Sequence, residues 1–326
     1  MNRPTAPKHP AAAQRGAALL LAMLTVTLVA SLAASALWQR WRSVEVESAE
    51  RARQQAAWIL TGALDWARLI LREDARTGGA DHLAEPWALP LQEARLSTFL
   101  AMEADSSAVE REAFLAGQIV DLQSRLNLLN LLDGDKLSPP AQQAFARLFE
   151  QLGLPASELS RLSQGLLAAQ RGARAAAAAA AAADAPLMPQ TLPQLGWLGL
   201  RPQTLSRLAP HVSLLPGQVP VNINTAGLEV LMAAVPGLSR ADATRMLAER
   251  GRAHYPTLLD NRLPAPVLTA AGGGQLAVAS RFFEVHGRLR LDDLVVEEVS
   301  VVQRDGLSVR VLRRQRQTPP VPSPTP

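Results

Sequence analysis

Residues 17–37, AALLLAMLTVTLVASLAASAL, run for twenty-one positions without a charged side chain. At about 1.5 Å of helical rise per residue, such a run matches the roughly 30 Å hydrocarbon core of a bilayer. A chain that carries it must embed it in lipid or lose it. Ahead of it stands MNRPTAPKHPAAAQRG, whose Arg3, Lys8 and Arg15 hold the N-terminus on the cytoplasmic side and send the remainder across. Arg40 and Arg42, just beyond the run, weaken that asymmetry.

Three readings of this segment are open. A secretory signal is cut after its apolar region, and Ala34-Ser35-Ala36 offers an A-x-A site. An uncut signal anchor keeps everything. The third reading cuts the Gly16–Ala17 bond, ahead of the apolar run, and retains the run as a helix. The continuation favours the third. Residues 38–71, WQRWRSVEVESAERARQQAAWILTGALDWARLIL, contain no Pro and a single Gly, Gly62. Ala52, Ala56, Ile59, Ala63, Trp66 and Ile70 recur at three- and four-residue spacing, which predicts a half-buried stripe with Arg51, Arg53 and Gln54 facing water. Residues 17–71 then form one helix roughly 80 Å long.

The basic leader ending in Gly16, the Ala17 that becomes the new N-terminus, and the long half-exposed helix resemble the type IV pilin and pseudopilin class. That resemblance implies cleavage and N-methylation at Ala17 by the prepilin peptidase, with the retained helix, marked by Leu21, Trp38 and Trp66, serving as the polymerisation element. Pilin-class chains generally carry Glu at the fifth mature position, where this chain has Leu21. A carboxylate in lipid costs about 2.5–3.5 kcal/mol on insertion scales and is kept where a partner neutralises it. A first subunit has no predecessor to neutralise, and loss of that Glu resembles the K-type minor pseudopilin of type II secretion (general secretion pathway protein K). The plainer alternative is an anchor that never polymerises.

Length and composition set the frame for the rest. A chain of 326 residues, 48% hydrophobic and 19% charged, has material for about two folded units. The pI of 10.4 overstates its basicity: the net charge is +4, drawn partly from the leader and partly from Arg310, Arg313, Arg314 and Arg316. No broad basic face for nucleic acid is indicated. There is no Cys, which excludes disulfides, thiolate metal sites and cysteine nucleophiles.

Gly78-Gly79 and the 86–90 stretch end the long helix. Residues 114–132, FLAGQIVDLQSRLNLLNLL, read as strand-like, with Gly117-Gln118 as a turn candidate. The run Gln123, Arg125, Asn127, Leu128 resembles a "Q-x-R-x-N-L" run of the K-type family. Ser138-Pro139-Pro140 starts a helix carrying Phe145, Leu148, Phe149 and Leu152. A second helix is expected over 157–169, followed by nine alanines at 175–183, read as an insert or spacer. After Pro256 the pattern turns to β-branched runs, SRFFEVHGRLRL, LVVEEVSVVQ and LSVRVL, the last two joined at Arg304-Asp305-Gly306, a hairpin signal. The Pro-rich tail 318–326 reads as disordered.

Residues 219–260 hold the most specific internal pattern. Asn224 or Thr225 is a candidate cap for a helix with Leu228, Leu231, Met232 and Val235 on one face; Pro236-Gly237 breaks it, and Ser239 with Asp242 caps a second helix ending at Gly251. The pair resembles helix-hairpin-helix modules, some of which bind DNA. Here Leu238 stands where a second glycine is often found, and Arg240, Arg245, Arg250 and Arg252 are balanced by Glu229, Asp242, Glu249 and Asp260, so counterion-driven DNA binding is weak. A packed hairpin for protein contact is the favoured reading. The K-type family carries a similar "N-x-N-T-A" hairpin, matched by Asn222, Asn224, Thr225 and Ala226.

The five histidines lack metal-ligand spacing, and no P-loop, dinucleotide fingerprint or G-x-S-x-G elbow occurs. No catalytic or metal residues are assigned and no cofactor is named. The family resemblance admits calcium in the helical domain, and Asp133-Gly134-Asp135 lacks the spacing of an EF-hand. Gly272-Gly273-Gly274 reads as a flexible connector.

The expected architecture is α+β, a pilin-like long N-terminal helix packed on an antiparallel sheet with a large all-helical domain inserted in that sheet. Its parts are a leader (1–16), the membrane half of the helix (17–37), its periplasmic half (38–72), first strands (73–132), the helical insertion (133–275), closing strands (276–317) and the tail. The resemblance implies a non-enzymatic subunit of the inner membrane, single-pass, with its bulk in the periplasm. It implies as partners the I-type and J-type minor pseudopilins, the major pseudopilin, the prepilin peptidase and the inner-membrane secretion platform, with no nucleic acid. A membrane-tethered DNA receptor of a competence system and an unrelated periplasmic scaffold remain alternatives.

Overall fold

The computed structural model describes residues 14–96, 112–177, 185–292 and 294–317. The leader through residue 13, alanines 178–183 and the tail lie outside the described residues. Helix α1 spans Gln14–Thr77, reaching past the expected end at Leu71. Contacts divide the chain within this helix into a unit through Trp58 and a second from Ile59 onward.

The first unit is helix throughout its described part, and the apolar side chains of Leu19, Leu21, Leu24 and Leu28 are exposed. Its hydroxyls are satisfied within the helix. Thr25, Thr27, Ser31 and Ser35 each donate to a carbonyl three or four residues back, at 2.7–3.0 Å. A helix that crosses lipid would need this arrangement.

In the second unit, five strands follow one another in space as in sequence: β1 (Leu91–Arg95), β2 (Ala113–Asp121), β3 (Phe282–Leu291), β4 (Leu294–Asp305) and β5 (Ser308–Gln317), each antiparallel to its neighbour. One face packs on α1. Leu64, Ala67 and Leu71 meet Ile119, Phe283, Val285, Val302 and Val309, and Trp87 closes the layer edge-on to Phe283. The buried positions of α1 here are Leu60, Leu64, Ala67 and Leu71, so the apolar stripe is centred beside the one expected from Ile59, Ala63, Trp66 and Ile70. Trp66 lies at its margin, 48% exposed. Ala56 of the expected stripe is buried, and from Leu60 on leucines dominate the buried face because they remove more apolar area from water than alanines do.

Gly117 and Gly287 oppose each other in the β2–β3 ladder. Gly117-Gln118 is therefore mid-strand, and the turn expected there does not form. A side chain on Gly287 would meet Leu60 Cδ2 at 3.1 Å, so the glycine serves the close approach of α1. The β4–β5 hairpin closes with Asp305 opposite Ser308, and Gly306 takes the positive φ of 54° that the turn requires.

Six described α-helices lie between β2 and β3. They are α2 (Pro139–Gln151), α3 (Ala156–Ala177), α4 (Pro202–Leu208), α5 (Leu228–Ala234), α6 (Arg240–Arg250) and α7 (Ala265–Ala270). Their shared core includes Phe145, Leu148, Phe149, Leu162, Leu166, Leu231, Met246 and Tyr255. Pro in the first turn starts α2, α4 and α7, where a missing N–H costs nothing. The strand-like passage stops at Asp121. From Leu122 to Leu131 the chain runs mainly through two short 3-10 turns, each opened by a side chain (Asp121, Asn127) accepting a backbone N–H two residues on. Polar side chains that bond locally outcompete the strand ladder there. The fold is thus α+β, a long helix on an antiparallel meander with a helical block interposed between two paired strands.

The position of the buried face generates a direct comparison. Leu64→Ala should lower unfolding free energy by about 2–5 kcal/mol, whereas Leu69→Ala on the exposed side should cost about 0.5 kcal/mol or less. Denaturant titration of the detergent-solubilised chain, followed by tryptophan fluorescence, measures both.

Candidate functional site

Where the helical block leaves β2 and rejoins β3, buried polar side chains converge. Asp121 ends β2 inside the protein, since hydrophobic residues on both sides of the strand carry it there. Its Oδ2 accepts from Ser280 Oγ at 2.6 Å, Thr225 Oγ1 at 2.5 Å and Asn222 Nδ2 at 3.3 Å, and its Oδ1 from Gln123 N at 2.7 Å. Burial pushes the Asp121 carboxyl up to about 6, against the pull of those donors.

Asn222 binds the same place from the helical side. Its Nδ2 also reaches Ser280 Oγ at 2.9 Å and Asp81 O at 3.1 Å, while its Oδ1 accepts from Asn224 N at 2.9 Å. Asn224 is a clamp on the hairpin that follows: Nδ2 donates to Tyr255 O at 2.9 Å and Oδ1 accepts from Tyr255 N at 2.8 Å. Neither Asn224 nor Thr225 caps a helix. Gly227 occupies the N-cap of α5, and the two side chains are consumed at the junction instead. Pro236 and Gly237 do form the break, with Gly237 at φ 76°, and Ser239 Oγ caps α6 by accepting from Asp242 N at 3.1 Å.

A charged layer lies beside Asp121. Arg304, from β4, spans Asp74 (Nη1 to Oδ2, 2.5 Å) and Asp81 (Nη2 to Oδ1, 2.5 Å), donates to Ser280 O at 2.8 Å, and stacks over Phe283. Asp81 Oδ2 accepts from Ser280 N at 2.6 Å. Burial drives the Asp81 carboxyl up, opposed by Arg304. Glu85 accepts from Trp87 Nε1 at 2.7 Å and His82 N at 2.9 Å, and burial raises it to about 7. His82 stacks on His254 of the helical block with ring centroids 3.9 Å apart, and burial lowers its pKa.

The Gln123–Leu128 run ties the block to itself. Gln123 bonds Pro220 O and Arg281 N, and Asn127 holds Leu215 and Gly217. Asp81 and Ser280 carry no signal in the sequence, where Asp121 reads only as a strand position and Arg304 only as the start of a hairpin turn. Asp121 and Arg304 carry one available signal, a charge at a position where strand alternation calls for an apolar side chain.

Among the described residues, Asp74, Asp81 and Glu85 bring carboxylate oxygens within 4.8 Å of one another. The Arg304 guanidinium already holds two of these three carboxylates, so the group does not fit calcium as arranged. The Asp133–Asp135 loop fits no better: Asp135 is paired with Arg174 at 2.5 Å and its carbonyl accepts from Arg171. In the hairpin, Arg245 pairs with Asp242, and Arg250 is spent on Ile223 O and Ala226 O, its pKa lowered by burial to about 10. On α1, Leu21 and Trp38 are exposed within the first unit, and Gly16 and Ala17 lie within the helix.

Residues 124–217 and 221–260, which include Asn127 and the Asn222–Thr225 stretch, match two family models, each described as type II secretion system (T2SS), protein K. Over those stretches the chain is similar to type II secretion system protein K. The type II secretion system protein K of Pseudomonas aeruginosa is 28% identical over 96% of both chains, and that of Pectobacterium carotovorum subsp. carotovorum 25% identical over 93% of this chain and 96% of the relative. The fold matches a chain of the crystal structure of the GspK-GspI-GspJ complex from enterotoxigenic Escherichia coli, with a TM-score of 0.59 at 20% identity, covering 83% of this chain and 98% of that one.

Two outcomes follow from the junction. Asn222→Ala leaves Asp121 and Asp81 O short of donors inside the protein and should cost about 2–3 kcal/mol by denaturant titration. Between about pH 4 and 6 the folded state keeps a proton on Asp121 that the unfolded chain has released, so this group makes stability fall as pH rises through that window. Asp121→Asn should shrink the fall, measured as the difference between midpoints at the two ends of the window; an unchanged difference means that Asp121 titrates normally.

Proposed function

We propose that this protein is a minor pseudopilin of the type II protein secretion system, which assembles at the tip of the periplasmic pseudopilus and supports export across the outer membrane without catalysing a reaction. The observation that carries this reading is α1: one helix whose exposed apolar half has the length of a membrane span and whose other half is built into the sheet. The same element that anchors a stored subunit is then available to bundle with other subunits once it leaves the lipid.

Cleavage at Gly16–Ala17 removes the leader charges and leaves the helix on the mature chain. Leu21 fits the tip, because a subunit with no predecessor gains nothing from a buried carboxylate at that position. The GspK-GspI-GspJ complex of enterotoxigenic Escherichia coli supports I-type and J-type minor pseudopilins as the immediate partners. The helical block, interposed in the sheet, supplies a width that suits a cap more than a repeating shaft subunit. The hairpin at 219–260 acts in holding that block to the sheet, since Asn222 and Asn224 are used internally.

Mass spectrometry of the chain purified from membranes should find Ala17, methylated, as the first residue, and Gly16→Leu should leave the leader attached. A mature N-terminus near Leu37 would overturn the reading, because the polymerising helix would have been discarded.

A further inference from the structure

Among the described residues the sheet ends in β5, a ten-residue outer strand with β4 on one side. An unpaired strand edge templates the addition of another strand, and proteins guard such edges with charge. Here the guard is uneven. Arg304 N donates to Arg281 O, on the β3 side of β4, so by antiparallel alternation its partner Val309 turns its own N–H and C=O away from β4. The Arg68 guanidinium takes that Val309 carbonyl, at 2.9 Å from Nε and 2.7 Å from Nη2. The hairpin end of the edge is therefore closed. Carried through the bulge between Val301 and Val302, the same alternation turns the backbones of Val311, Arg314 and Arg316 outward too.

Charge then selects what such an edge accepts. Ser308–Gln317 holds Arg310, Arg313, Arg314 and Arg316 and no Asp or Glu. Arg314 and Arg316 share one carboxylate, the buried Glu298 of β4. Arg310 and Arg313 reach neutral oxygens instead, Gln303 Oε1 at 3.3 Å and Gln190 O. The edge presents surplus positive charge beside outward-turned peptide groups. A second copy of β5 is repelled there, and an extended segment bearing Asp or Glu is attracted.

We propose that the β5 edge from Arg310 to Gln317 docks an acidic extended segment of another polypeptide, which adds to the sheet as a sixth strand. The inference rests on the sheet alone and goes beyond the secretion reading. The outward peptide groups of Val311, Arg314 and Arg316 supply the ladder, Arg310 and Arg313 supply charge selection, and the Arg68 clamp sets where the added strand stops.

The test uses the full chain in detergent and a fluorescent peptide of alternating Glu and Val, read by fluorescence anisotropy. The Glu peptide should bind at least about tenfold tighter than its Lys counterpart, and N-methylation of its alternate amides should abolish binding. Val311→Pro removes an outward N–H without touching the ladder to β4; it should weaken binding about tenfold while the melting temperature holds. Arg310→Glu with Arg313→Glu should reverse the preference between the two peptides. Equal binding of the N-methylated peptide would show a polyanion held by arginines alone, and failure of every peptide to bind would leave those arginines as guards of a closed edge. Either result overturns the proposal.

Discussion

A carboxylate shut away from water has to find its donors inside the protein, and Asp121 finds them on three separate stretches of chain: Gln123 beside it, Asn222 and Thr225 on the way into the hairpin, and Ser280 on the way back to the sheet. The apolar cores on either side, one between α1 and the sheet and one within the helical block, are non-directional and tolerate sliding. Hydrogen bonds to a buried charge do not. The junction therefore fixes how the block is seated on the sheet, and Arg304 extends the constraint to the end of α1 through Asp74 and Asp81.

That constraint explains why some of the molecule was readable in advance and some was not. Local rules were sufficient where a residue acts on its own neighbourhood: the uncharged run at 17–37, the Ser239 cap, the Pro236-Gly237 break and the Gly306 hairpin all follow from near-neighbour chemistry. They failed where a residue serves a distant one. Gly117 reads as a turn until Gly287 and α1 are placed beside it. Asn224 and Thr225 read as caps because capping is the commonest local use of those side chains, and here Tyr255 and Asp121 claim them from 31 and 104 residues away.

The two halves of α1 satisfy their side chains in different ways. Through the apolar run its hydroxyls fold back onto the helix backbone; from Ile59 on its leucines are buried against strands. On the proposed reading, an element that must be stable in lipid and also serve as a packing face on a globular sheet has little freedom in sequence on either side.

The meander also has a consequence for how such a molecule is put together. β2 and β3 pair along their full lengths, with Asp121 opposite Phe283, so the chain departs for the helical block and returns from it at one spot. The block is in effect a very long loop of a hairpin whose register is set without it. Its size and shape can be exchanged among descendants of one ancestor, or trimmed by an engineer to a short turn, while the strands on either side stay in step.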